Sequence, residues 1–520
     1  MYLQSHRQTI GDLLRRTARR VPHKLAVRCN DVQWSYAELN DLCDRLASGL
    51  AAHGVAKGER IAILARNSHA FAALRFALAR LGAVLVPINF MLKADEVAYI
   101  LRHAGARMLA VDAGLAALGR QAAQLNTAVE RLIGLPGEGQ PEPEGDMLGF
   151  ADLCAGPAVP IEVELAAGDL AQIVYTSGTE SLPKGAMLTL DAVIWQYVSC
   201  IVDGEISGDD LVLHSLPLYH CAQLDCFLGP GIFLGATNII TGVPSPDNLL
   251  PLIAKHRITS FFAPPTVWIS LLRSPLFEQT DLSSLRKGYY GASIMPVEVL
   301  REMQRRLPRI RLWNFYGQTE IAPLATVLKP EDQLRKPGSA GKPVINVETR
   351  VVDDLMQDVA VGEVGEIVHR SPQLLTGYFN DPERTRAAFE GGWFHSGDLA
   401  VLDDEGYLTV VDRKKDMIKT GGENVASREV EEAIYGMPEV SEVAVVGLPH
   451  PRWVEAVTAV VVVKAGRLLT AEAVMGFCNS RMAQFKVPKG VVFLAELPKN
   501  PSGKLLKREL RKQLEGRFAT

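Results

Sequence analysis

Tyr175-Thr176-Ser177-Gly178-Thr179-Glu180-Ser181-Leu182-Pro183-Lys184-Gly185 follows directly on an apolar run over 171–175. The run reads as a buried strand, and it opens into a small, hydroxyl-rich loop with a lysine near its end. Such a loop offers backbone N–H groups, hydroxyls and one ammonium to an anion, which is what a polyphosphate requires. From Gly178 the register nearly matches a Walker A loop, but Pro183 stands where the second glycine belongs. Gly185 replaces the Ser or Thr that would hold magnesium, and proline has no N–H to donate. The spacing therefore predicts ATP handled by another geometry than the P-loop.

Toward the N-terminus, helix and strand signals alternate. Ser35 and Glu38 form a capping-box pattern before a stripe of Leu39, Leu42, Leu46 and Leu50 that Gly54 stops. Residues 61–64 read as a strand, 70–81 as a helix and 84–88 as a strand. A helix with Val97, Ile100 and Leu101 on one face follows, then a strand over 107–111. This order predicts an α/β fold with parallel-rich sheets flanked by helices. Residues 134–147, rich in Gly, Pro and Glu, read as a surface connection.

Toward the C-terminus the texture changes at the charge run Asp412-Arg413-Lys414-Lys415-Asp416. Taken alone such a run is a solvated turn; between two β-rich stretches it is placed as a hinge at 412–415. After Gly421-Gly422 comes a helix begun by Ser427, with Val430, Ala433 and Ile434 on one face. Strands follow over 443–446 and 456–463. The expected division is a large N-terminal domain, 1–412, and a small α+β C-terminal domain, 413–520.

Bulk properties narrow the function classes. The 520 residues are 48% hydrophobic and 22% charged, ordinary for a globular enzyme, and the formal net charge of −4 argues against coating nucleic acid. Seven cysteines show no CxxC spacing, so neither zinc nor a disulfide framework is expected and a reducing cytoplasm fits. No charged-then-apolar signal segment opens the chain. The apolar stretch over 229–243 is too short for a transmembrane helix and carries Pro230 and Asn238.

Four further segments share the anionic or nucleotide theme: Tyr316-Gly317-Gln318-Thr319-Glu320, Trp393-Phe394-His395-Ser396-Gly397-Asp398, the stretch 413–425, and Leu497-Pro498-Lys499-Asn500-Pro501-Ser502-Gly503-Lys504. Together with the opening loop, in this order, the set resembles the acyl-adenylate-forming superfamily of acyl-CoA synthetases, firefly-type luciferases and peptide-synthetase adenylation domains. The resemblance spans about residues 10–512. It implies a first half-reaction of carboxylate with ATP to acyl-AMP and pyrophosphate, and a second that passes the acyl group to a thiol. It also implies a small C-terminal domain that swings between two poses.

Since an anion must attack a polyanion, the chemistry demands positioning and charge neutralisation. The resemblance makes Lys504 the catalytic lysine bridging carboxylate and α-phosphate, and Glu320 the Mg2+ carboxylate. It makes Asp398 the ribose acceptor, with Arg413 on ribose or phosphate. Thr176, Ser177, Gly178, Thr179 and Lys184 would cradle the β- and γ-phosphates. Gly291, Ala292 and Ser293 would line the adenine face, Tyr316 would stack near the base, and Gly317, Gln318 and Thr319 would belong to the same ATP/AMP site. Lys415 takes the hinge position, and Gly421 and Gly422 a strand edge along the CoA tunnel. His220, after Leu216-Pro217-Leu218-Tyr219, would lie beside acyl carboxylate and thiol; a packed core histidine is its alternative.

The windows expected to line the acyl pocket, 220–240, 261–268, 289–295 and 317–326, contain His220, Asp225, Trp268, Ile294 and Ile321 among many apolar residues, and no Lys or Arg. A second substrate carboxylate would be buried unpaired there. An apolar monocarboxylic acid is expected: a medium- to long-chain fatty acid first, an aryl acid of the benzoate or cinnamate type as the alternative. Asp225 would select a polar tail group or face outward. CoA is the expected acceptor, a carrier protein the alternative, and a homodimer is compatible. An adenylate-binding scaffold is the non-enzyme reading. Cys221 and Cys226 are expected as buried thiols, and Gly229-Pro230-Gly231 is no dinucleotide fingerprint. Two departures from the pattern stand out: Glu180-Ser181 in the loop, and Ala426-Ser427 where relatives carry an aromatic–proline pair, with Ser427 expected to cap the helix.

Overall fold

Ser35 accepts from the Glu38 N–H at 3.3 Å while the Glu38 carboxylate accepts from the Ser35 N–H at 2.7 Å, and the helix Tyr36–Ala52 starts there. The computed structural model describes residues 7–176, 183–291, 293, 295–414, 416–499 and 505–518. The next helix, His69–Leu81, is buried along its whole length, between Ser68 as its N-cap and Gly82 in the left-handed conformation. A helix apolar nearly all round belongs inside a core, yet this one carries Arg75 and Arg80.

Two large sheets hold the strands up to residue 343, and one of them also takes Gly377–Tyr378. One orders its strands Gly377–Tyr378, Lys184–Thr189, Leu170–Thr176, Val84–Pro87, Arg60–Leu64, Met108–Asp112, Arg131–Leu135 and Leu148–Gly149. It is parallel from Leu170–Thr176 onward and antiparallel on the side of Lys184–Thr189. The other has a parallel centre of Arg311–Gly317, Lys287–Gly291, Ser260–Phe262, Leu211–His214, Thr237–Ile240 and Leu25–Cys29, with antiparallel strands at both edges. An antiparallel sheet of Glu348–Val352, Gly365–Arg370, Phe394–Leu402 and Leu408–Arg413 comes next along the chain.

Beyond Arg413 the pairing starts afresh. The long hairpin Val440–His450 with Val454–Val463 carries Ile418–Thr420 on one side and Gly490–Phe493 on the other. Val430 and Ile434 of the helix Ser427–Tyr435 pack on it with Val445, Val457 and Val461. Ser427 does not cap that helix. Ala426 occupies the N-cap, and the Ser427 backbone N–H and hydroxyl both reach Asp412 Oδ2, each at 2.7 Å. No helix among the described residues is long and apolar enough to cross a membrane.

Three buried imidazoles make stability depend on acid. Desolvation pushes His69, His214 and His369 down to about 4. Below the ordinary value of 6.5 the unfolded chain takes up a proton at each that the folded chain refuses until about 4. Stability is therefore whole above that window and falls as pH drops through it, by at most about 3 kcal/mol per histidine. Urea midpoints measured between pH 7.5 and 4.5 should fall monotonically, and His214→Gln should flatten the slope; a pH-independent midpoint contradicts this account.

Candidate functional site

His214 ends a central strand and anchors the loop that leads to His220. Its Nδ1 accepts from the Gln223 amide at 2.7 Å and its Nε2 donates to Asn238 Oδ1 at 2.9 Å, a pattern that only the neutral ring satisfies. Asn67 ties the same loop down. Its amide donates to the carbonyls of Leu216 and Thr241, and its Oδ1 accepts from the Leu218 N–H at 2.7 Å. His220 then caps a short helical turn, with Nδ1 accepting from the Ala222 N–H at 3.1 Å. A neutral His220 thus carries its proton on Nε2. The sequence left a core histidine open, but here the ring is oriented by its own backbone.

Lys184 begins the strand that pairs antiparallel with Leu170–Thr176. Its ammonium donates to Tyr378 Oη at 2.6 Å, lies 4.2 Å from that ring's centre and reaches Glu320 Oε1 at 3.2 Å. Tyr378 Oη donates in turn to Glu320 Oε1 at 3.0 Å. Burial, then the Glu320 charge, pushes the phenol far above its usual range, so it stays a neutral donor. Sequence reasoning missed Tyr378. Its place comes from strand pairing, Gly377 opposite Met187 and Tyr378 opposite Ala186, which no local pattern at 375–379 announces. Gly185 has a packing reason: a Cβ there would stand 2.7 Å from the Ile173 side chain. At the loop's other end the Thr176 hydroxyl is buried without a hydrogen-bond partner among the described residues.

Tyr316, Asp398 and Arg413 come from three segments: Asp398 and Arg413 meet through sheet register, and Tyr316 reaches Asp398 from a strand of another sheet. Asp398 and Arg413 are directly opposite on neighbouring antiparallel strands. Arg413 Nε approaches Asp398 Oδ1 at 3.3 Å, and Tyr316 Oη donates to Asp398 Oδ2 at 2.7 Å. Gln318 donates to the Ser396 carbonyl at 3.4 Å, joining the same two stretches. Gly291 is buried, Gly317 and Ser293 are exposed, and Thr319 Oγ1 lies 3.4 Å from the Cys221 thiol. Cys221 and Cys226 are buried thiols as expected, pushed far up by desolvation.

Several expectations change. Asp225 does not face outward: it is fully buried, with Gln172, Tyr197 and Arg75 around it. Trp268 is not brought beside Ile321. It stacks edge-on against Phe261 and packs among Leu249, Leu271 and Met303, whereas Ile321 packs with Phe227, Phe262 and Phe315. Successive side chains of the strand Ser260–Phe262 point to opposite faces, so Phe261 and Phe262 feed different cores. Gly421 and Gly422 occupy a turn rather than a strand edge, with φ of 61° and 90°, joining Ile418–Thr420 to Glu423–Val425. Two successive left-handed residues are what a tight hairpin needs, and glycine takes them without strain. Ser177, Gly178, Thr179, Glu180, Ser181, Ala292, Ile294, Lys415 and Lys504 lie outside the described residues.

A family model described as AMP-binding enzyme matches residues 14–379, and one described as AMP-binding enzyme C-terminal domain matches 429–504. Over 507 residues the chain is 37% identical to a feruloyl-CoA synthase of an Amycolatopsis species, covering 97% of this chain and 99% of that one. It is 38% identical to an indoleacetate–CoA ligase of Aromatoleum aromaticum, covering 94% and 95% of the two chains. A long-chain-fatty-acid–CoA ligase of Mycobacterium tuberculosis is 36% identical, with coverage of 97% and 98%. Among solved structures, an anthranilate CoA ligase in complex with anthranoyl-AMP superposes with a TM-score of 0.92 at 26% identity, over the whole of both chains.

Proposed function

The chain belongs to the AMP-binding enzyme family and is an AMP-forming acid–CoA ligase, and from that premise we propose that its acid is an apolar monocarboxylate bearing an aryl ring. The observation that carries this reading is the cluster of rings buried together with Ile321. Phe227 stacks on Phe262 at 4.5 Å and on Phe315 at 5.6 Å, and Tyr289 closes edge-on against Phe227 at 5.0 Å. An acyl group lodged against Ile321 would meet these rings, which favours a short, flat group over an extended chain, since rings meet rings with a gain beyond area burial. The feruloyl and indoleacetate relatives support it. A medium- to long-chain fatty acid is the second reading, supported by the fatty-acid relative.

The residues divide the work. Lys184 now rests on Glu320 and Tyr378; with ATP present its ammonium is free to turn to the departing phosphates, whose charge exceeds one carboxylate's. Asp398 would accept ribose hydroxyls, held by Tyr316 and Arg413. His220, proton on Nε2, would orient the acid carboxylate. Lys504 would bridge the two anions at the reacting phosphorus. The Thr176 hydroxyl, buried and unpartnered among the described residues, and the hard oxygens of Glu320 suit a magnesium–phosphate group, so Glu320 would hold Mg2+. When bound, that ion neutralises phosphate charge.

A swing of the segment after Arg413 about Lys415 is part of the same reading, with the Asp412–Ser427 contact spanning the pivot. Seven free cysteines support a reducing cytoplasm. The test is pyrophosphate release across C2–C18 fatty, aryl and dicarboxylic acids, with and without CoA. Aryl acids should lead in kcat/KM and dicarboxylates should give nothing. A C12–C16 optimum would transfer the assignment to the second reading, and a flat response to every acid would favour a scaffold.

A further inference from the structure

Inside the large domain Arg75 and Asp225 form a buried charge pair. Arg75, midway along the buried helix His69–Leu81, is 1% exposed, and Asp225 is fully buried. Arg75 Nη2 lies 3.5 Å from Asp225 Oδ1. Asp225 Oδ2 accepts from the Gln172 amide at 2.7 Å and Oδ1 from the Tyr197 hydroxyl at 3.2 Å. The arrangement is incompletely satisfied: among the described residues Arg75 Nε and Nη2 and Gln172 Oε1 have no hydrogen-bond partner. Burial pushes the Asp225 carboxyl upward, and the arginine opposes that push. A buried ion pair of this quality is weak evidence for stability, because apolar residues of similar volume are often as good or better.

Its position supplies another reason for it. Four elements converge on the cluster: the helix His69–Leu81, the strand Leu170–Thr176, the helix Leu190–Asp203 and a π-helical turn Leu224–Leu228. Gln172 sits where the pairing of its strand with Lys184–Thr189 shifts register, and Asp225 sits within the π turn. Bulges and π turns re-aim the residues on either side of them, and both concentrate near functional sites. Four residues beyond Gln172 is Thr176, whose strand pairs Thr176 with Lys184. Five residues before Asp225 is His220, and between them Cys221 touches Thr319, next to Glu320. The two irregular backbones that deliver the phosphate edge and the histidine edge of the site are thus joined only a few residues behind their tips.

We propose that Arg75 and Asp225 are positioning residues for adenylation, a buried pair that holds the strand carrying Thr176 and Lys184 in register with the turn carrying His220. The inference rests on the ligase reading. It touches the step in which acid and nucleotide must be aligned, because misplacement of reacting groups by about 1 Å costs on the order of 100-fold.

The experiment compares wild type with Arg75→Met/Asp225→Asn, which removes both charges while Asn keeps oxygen and amide facing Gln172 and Tyr197. The double variant should fold with an unchanged or higher Tm. ATP–pyrophosphate exchange should lose roughly 10- to 100-fold in kcat, with KM for ATP little changed. Thioester formation from supplied acyl-AMP should be spared. Arg75→Lys, which keeps the cation, should restore part of the exchange rate. Wild-type exchange in the folded double variant overturns the proposal, as does equal loss of both half-reactions. If the double variant does not fold, Gln172→Met, which keeps both charges and cuts the strand's 2.7 Å hydrogen bond to Asp225, is put to the same comparison, and full exchange in it overturns the proposal equally. Wild-type protein inert with every acid would instead overturn the ligase reading.

Discussion

Lys504→Ala should lose ATP–pyrophosphate exchange by about 10²–10³-fold, equivalent to roughly 3–4 kcal/mol of barrier, while thioester formation from supplied acyl-AMP continues. The effect is electrostatic. A carboxylate approaching the α-phosphorus brings one anion against another, and a lysine placed between them is worth most where charges crowd in the transition state. Once acyl-AMP exists that crowding is past, so the second half-reaction should be indifferent to this side chain. The split between the two assays is the informative quantity: a misfolded protein loses both. Full exchange activity in Lys504→Ala would remove the lysine from the mechanism.

Glu320→Gln should cost a comparable factor, about 10²–10³-fold in exchange, and should raise the Mg2+ concentration needed for half-maximal rate by about tenfold or more. Gln is nearly isosteric and its amide oxygen can still accept the Tyr378 hydroxyl, now 3.0 Å from Glu320 Oε1, so the network should survive without its charge. Lys184, 3.2 Å from the same oxygen, would lose its counter-charge. A lowered rate with unchanged Mg2+ dependence would assign Glu320 to holding Lys184 rather than to the ion. Tyr378→Phe offers a control, since it removes the bridging hydroxyl and leaves both charges.

The local elements were readable because their causes are local. The Ser35–Glu38 capping box, the strand at 171–175 and the core helix over 70–81 each depend on a few neighbouring residues, and each stands where the pattern placed it to within a residue. Asp398 and Arg413 were also both found, but from separate motifs. Their contact depends on two antiparallel strands meeting in one register, and a slip of one residue would have pointed the side chains to opposite faces.

Errors arose where the deciding partner is distant along the chain. Ser427 looks like a cap, but the Asp412 carboxylate claims its N–H and hydroxyl, so Ala426 takes the N-cap. Trp268 and Ile321 were expected along one pocket, and the sheet puts Phe261, which Trp268 meets, and Phe262, which packs with Ile321, into different cores. Asp225 reads in the sequence as an acid in an apolar window. Its partner, Arg75, lies 150 residues earlier in a helix whose pattern otherwise spells core.

For this protein the order of residues alone determined an α/β chain, because hydrophobic period and caps act over a turn or two of backbone, and its five motifs pointed to adenylate chemistry through their resemblance to a family. Tertiary structure alone decided which side chains touch: Tyr378 between Lys184 and Glu320, Tyr316 on Asp398, and Arg75 under the π turn. Those contacts join residues that share no local period. They exist only once sheets have formed in one register and burial has left each polar group with whatever partner the packing brings.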